Sequence, residues 1–176
     1  MWGGTRKVVI LGSLPQRLAA EPPAGEAPDV TAARRAVLAS LIDKRTSDKD
    51  ERFIIEVRHI GTPEDPLRFE QLEADHAAKA HAARVRARKL VESEGGSIAD
   101  DEAINAALAR DSAWSSDLGK LMVAWIDAGV VGAGQAARIW ELGERCYGAG
   151  GGGSLLIDAA TEVKRFQYVT EDEGKG

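Results

Sequence analysis

Cysteine is all but missing from this 176-residue chain, where Cys146 stands alone. A single thiol excludes an internal disulfide framework and any zinc site built on several cysteines. Aromatic residues are scarce too, at 5% of the chain. Bulky aliphatic content is thin: Leu, Ile, Val and Phe together number 39, whereas Ala alone supplies 29 of the 77 apolar residues. Those 39 sit just above the roughly 20% share below which disorder is the default expectation. Three clearly periodic segments argue for a folded chain nonetheless. No run approaches the ~18 uncharged apolar residues that a membrane span needs. The length suits one domain, or one domain with an appendage.

Charge is present in both signs but unevenly placed. Residues 1–96 hold 16 Lys/Arg against 15 Asp/Glu, while residues 97–176 hold 7 against 13, within an overall net charge of −5. An acidic C-terminal half opposes neutralisation of a phosphate backbone, which disfavours nucleic acid as a partner. Residues 1–20 lack acids and carry Arg6, Lys7 and Arg17, a faint echo of a targeting segment. The apolar run at 8–11 is too short for a signal core, and Pro15 follows it. It reads as a strand, in a protein of the cytoplasm or an equivalent reducing compartment; a virion component is also compatible.

What is there organises as a predominantly helical α+β fold. Residues 6–11 form a β-branched run ending at Gly12, expected as a buried strand. A Pro- and Gly-rich loop over 12–29 precedes a helix capped by Asp29 or Thr31, with Val37, Leu38, Leu41 and Ile42 as its stripe. Residues 52–60 alternate so that Phe53, Ile55 and Val57 share a face, giving strand–helix–strand, right-handed if the strands are parallel. A long Ala-rich helix is expected over 67–92, acidic at its start and basic towards its end, as the macrodipole favours. Ser97 or Asp100 caps another helix reaching Arg110. Helices at 112–128 and from about 133 to 147 are expected as a hairpin with facing aromatics, Gly129 closing the first in a left-handed cap. The stretch GAGGGGS at 148–154 reads as a flexible hinge or an artificial fusion linker. The expected organisation is a domain over 1–147, that hinge, and a docking segment with an acidic solvated tail over 155–176.

Motifs for specific chemistry fail on inspection. The turn after residues 6–11 has Leu14 and Arg17 where a dinucleotide fingerprint needs glycines. GAGGGGS lacks the Lys of a phosphate-binding loop. His76 and His81 are five residues apart, about 140° around a helix, and no HExxH occurs, so no metal site is expected. No nucleophile elbow, catalytic triad order or kinase signature is visible. Cys146 reads as a buried structural thiol. Residues 128–131 between two helices superficially suggest a helix-turn-helix, but Gly132 and Gly134 loosen the turn.

The expected function is a non-enzymatic structural or assembly subunit of a larger complex, cellular or viral, whose partners are protein subunits, self or other. It needs no cofactor. Its expected contact residues are Trp114, Trp125, Trp140 and Phe166, with core packing as the competing role for each Trp. The alternative is a nucleotide or small-ligand binding domain, enzymes included, using Gly12 and Ser13. A nucleic-acid module through the hairpin or through Arg84, Arg86, Arg88 and Lys89 comes third.

Overall fold

A short antiparallel ribbon and seven helices account for most of residues 4–46, 50–61 and 65–168, which a computed structural model describes. The order is β1 (Thr5–Val9), α1 (Leu14–Ala19), α2 (Pro28–Thr46), β2 (Ile54–Arg58), α3 (Arg68–Ser93), α4 (Asp101–Arg110), α5 (Ser112–Gly129), α6 (Gln135–Tyr147) and α7 (Gly151–Gln167). The fold is thus predominantly helical α+β. Two compact units result: Met1–His59 with Trp125–Gly176, and Ile60–Ala124. The sequence reading drew one body over 1–147, whereas the contacts set α7 inside the first unit. The boundary falls within α5. The expected tail after Tyr168 and part of the expected turn at 61–66 lie outside the described residues.

In the first unit, β1 and β2 pair antiparallel, Thr5 opposite Arg58 and Val9 opposite Ile54. The parallel alternative, and with it the right-handed crossover, does not occur. Parallel strands want both faces covered, but Thr5, Arg6 and Lys7 are exposed, so β1 is not the buried strand expected. The alternation in β2 behaves as its pattern demands. Phe53, Ile55 and Val57 are each at most 2% exposed. The other edge of β2 takes a bridge from Val57 to Val130 and a bond from the Val131 amide to the Glu56 carbonyl, 2.8 Å.

The loop expected over 12–29 contains α1, because Pro15 occupies the first turn, where its missing N–H is harmless. Glycine decides the packing further on. Gly129 is not a left-handed cap; it lies within α5, where Val163 of α7 occupies the space a Cβ would need. The left-handed residue falls later, at Gly132.

The second half of the glycine-rich stretch is helical rather than an open hinge. Residues 151–154 form the first turn of α7, and Gly151 and Gly152 are buried. A Cβ on Gly143 of α6 would collide with the Gly151 carbonyl, and one on Gly152 would come within 2.6 Å of the Trp140 ring. Small residues let the two helix backbones meet. Hence α6 packs on α7 rather than forming a hairpin with α5. Leu155, Leu156, Ala159, Ala160 and Val163 are buried, so the expected docking segment finds its partner inside the chain.

In the second unit, α3 and α4 lie against each other through Ala87, Val91, Ile104 and Ala107. The Asp100 carboxylate caps α4 by accepting the Glu102 and Ala103 amides. Arg110 pairs with Glu94, and Arg86 with Asp111. The Ala-rich α3 therefore meets a second Ala-bearing helix.

Candidate functional site

Two concavities and a part-buried polar network frame the candidate site of the first unit. Arg45, near the C-terminal end of α2, is 6% exposed and lies 3.9 Å over the Phe53 ring and 4.7 Å from that of Tyr147. Its guanidinium donates to the Tyr147 hydroxyl, which donates to the Leu11 carbonyl at 3.0 Å. On its other side, the loop after β1 is held by Asp158 of α7. One carboxylate oxygen accepts the Leu11 and Gly12 amides at 2.5 and 2.9 Å. Burial pulls the Arg45 guanidinium below its usual value, opposed by nearby Cys146 and Asp50. The group stays cationic, since arginine does not deprotonate in proteins.

The concavity on the Asp158 side, about 620 Å³, is bordered by Gly12, Ser13, Ser154, Thr161 and Arg165 among others. The two residues expected for a nucleotide do line a pocket. Several backbone donors at its edge, however, are taken. Asp158 occupies the loop amides, and Glu144 accepts the Gly150 and Gly152 amides at the start of α7, at 3.1 and 3.0 Å. A phosphate would seek those same N–H groups. Gly12, at φ +61°, would place a Cβ 3.0 Å from Ser154 Oγ, so its glycine serves the loop's approach to α7.

The concavity on the α2 side, also about 620 Å³, is a groove along one face of that helix. Val30, Ala33, Arg34, Val37, Leu38, Leu41 and Arg45 line it from α2, at the 3- and 4-residue steps of one helical face. Leu14 and Arg17 of α1, with Cys146 and Tyr147 of α6, complete it. Leu38 is the only buried apolar residue of α2; Val30 is 51% and Val37 61% exposed. Thus Val37, one of the four stripe residues expected as core, opens to solvent, and Leu41 and Ile42 are only half-buried. Arg34 pairs with Glu26 at 3.2 Å through one terminal nitrogen, while its Nε is buried with no hydrogen-bond partner.

The expected contact residues are dispersed. Trp125 is fully buried, beneath Lys164, and belongs to the core, which corrects its assignment to a contact surface. Trp114 is half-buried near His76, with ring centroids 6.4 Å apart. Phe166, half-buried, stacks on His59 at 4.6 Å. Trp140 alone of these three Trp residues is broadly exposed, at 46%. Cys146 is exposed, not the buried thiol expected.

Among the described residues, no group of three or more His, Cys, Asp or Glu could hold a metal ion. Nor is any helix among them long and apolar enough to cross a membrane. The α2 groove was legible in sequence as the series 30, 33, 34, 37, 38 and 41, a full helical face. Reading only the adjacent pairs at 37–38 and 41–42 hid it. The chain matches no protein-family model, no curated protein and no solved structure.

Proposed function

We propose that this protein is a non-enzymatic assembly subunit, acting through protein contacts in a reducing compartment such as the cytoplasm. The observation that carries this reading is the open face of α2. A 19-residue helix that buries Leu38 and Arg45 while leaving Val30 and Val37 more than half exposed has a face suited to covering by another chain. Burying what remains exposed of those two valines contributes about 2 kcal/mol. A photo-crosslinking amino acid at Val37, introduced in the native cells, tests the reading. The expected result is one dominant covalent adduct with a protein, self or other. Solvent quenching alone, together with a strictly monomeric chain by light scattering, overturns it.

A second reading rests on the pocket beside Gly12 and Ser13. Because Asp158 and Glu144 already fill the amide donors, its ligand would be a neutral polar molecule, not a phosphate. A thermal-shift panel decides: stabilisation by nucleotides would contradict that assignment. Nucleic acid comes last, since Arg86 of the basic cluster is engaged by Asp111.

A further inference from the structure

The lining of the α2 groove is one-sided in charge as well as apolar. Arg17, Arg34 and Arg45 border it, and among the described residues no Asp or Glu lines it. This occurs in a chain of net charge −5, where acids outnumber bases 28 to 23. Two of the three cations are costly where they stand. Arg45 is buried on aromatic rings with a hydroxyl, not a carboxylate, as its hydrogen-bond partner. Arg34, paired with Glu26 through one terminal nitrogen, still keeps a buried Nε donor unsatisfied, and buried donors are normally paired. Arg17 stands exposed on α1 at the margin.

From this we infer that the groove takes an amphipathic segment of a partner protein, whose aliphatic side chains cover Val30, Val37 and Leu41 while its carboxylates meet the arginines. This deepens the assembly reading and rests on it. From Val30 to Leu41 the helix face runs roughly 17 Å at 1.5 Å per residue, the length of a three-turn helix rather than of a small molecule. Three guanidiniums set the polarity of that segment, because each is a fork of donors with no acceptor. A basic segment would meet like charge, and a wholly apolar one would seal Arg45 and the Nε of Arg34 further from water while adding no acceptor to the Glu26 that Arg34 already pairs with.

The test is selection of a random 12-residue peptide display library on the full chain, followed by fluorescence anisotropy with the enriched peptides. The expected winners combine bulky aliphatic residues with Asp or Glu. Their affinity falls about tenfold on Val37→Asp and about fivefold on Arg17→Glu, and replacing the peptide's acid by Lys recovers binding to the Arg17→Glu chain. Both positions are exposed, and circular dichroism verifies that each variant folds. Enrichment of basic or acid-free peptides, indifference to both substitutions, or binding of anionic phospholipid vesicles in place of peptides overturns the inference. So does self-association through the groove, detected as a dimer lost on Val37→Asp. The crosslink at Val37 keeps the two readings separable. A protein adduct mapped to a segment without acids sinks the peptide chemistry and spares the assembly role; enriched acidic peptides with no cellular adduct do the reverse.

Discussion

Gly143 lies where α6 and α7 come together, and Gly143→Ala measures how closely the two helices must meet. The added Cβ would fall against the Gly151 carbonyl, 2.5 Å from its carbon and 2.6 Å from the Gly152 Cα. Those distances are roughly 1 Å short of the 3.5–4.0 Å optimum for carbon contacts. The obstacle is backbone on both sides, so no rotamer change relieves it. Helix propensity works the other way, favouring Ala by about 1 kcal/mol. Overpacking costs about 1–3 kcal/mol, and here it takes the upper part of that range, because separating the helices also loosens Leu155, Leu156 and Ile139. The net expectation is a loss of about 1–2 kcal/mol, or a Tm lowered by roughly 3–8 °C in a chain of this size.

Gly119→Ala is the matched control. Gly119 sits inside α5 with nothing within 4 Å of its missing Cβ, so only the propensity gain of up to about 1 kcal/mol operates. Calorimetry with far-ultraviolet circular dichroism reads both variants. Two units allow two transitions, so the Gly143 effect should appear in the one reported by the burial of Trp125. A Gly143→Ala chain as stable as the parent would refute the close-packing account of the glycine-rich stretch.

Three further outcomes are expected. Asp158→Ala strips the shared acceptor from the Leu11 and Gly12 amides, costing about 2 kcal/mol; urea titration reads the loss, and faster exchange of those two amides locates it. Arg45→Lys keeps the charge but loses the planar stack on Phe53 and Tyr147, which costs about 1–2 kcal/mol; an unchanged urea midpoint would contradict the stacking role. Asp111, held below its ordinary value of 3.8 chiefly by the Trp114 amide and then by Arg86, stabilises the folded chain above its unfolded pKa, and that contribution disappears as pH falls through the folded value. Acid titration of helicity should therefore show a loss below about pH 4 that shrinks in Asp111→Asn; equal acid sensitivity in both chains would count against it.

Period and punctuation made much of the fold readable. The alternation at Phe53, Ile55 and Val57 needed only a strand to bury one face, and it does. The acid at Asp100 named its own helix start, because a carboxylate before an Ala-rich run has amides to accept. What failed was inference about partners. Strand direction depends on how the chain returns between residues 10 and 53, and no local pattern encodes that. Glycine was the other blind spot. In GAGGGGS and at Gly129 its meaning lies in what comes close, not in the freedom of its backbone. Composition reports the freedom; only the facing helix reports the approach.

The sites divide along the same line. Gly12 and Ser13 line a pocket, because a strand ending in glycine must turn there. Their proposed chemistry depended on amides open to a phosphate, and two carboxylates, one distant in sequence and one near, accept several of those amides. Asp158 is 146 residues from Gly12, and Glu144 reaches back to a helix that begins after it. Internal acids thus perform at this loop and helix start the part an anionic ligand would perform, which stabilises the chain without a ligand. The three arginines of the α2 groove reverse that pattern: they are cations gathered with no carboxylate among the groove's lining residues. A chain that satisfies these amides with its own acids, while leaving a cationic, apolar face half open, makes α2, ahead of the strand end, the first surface on which to test the proposed assembly role.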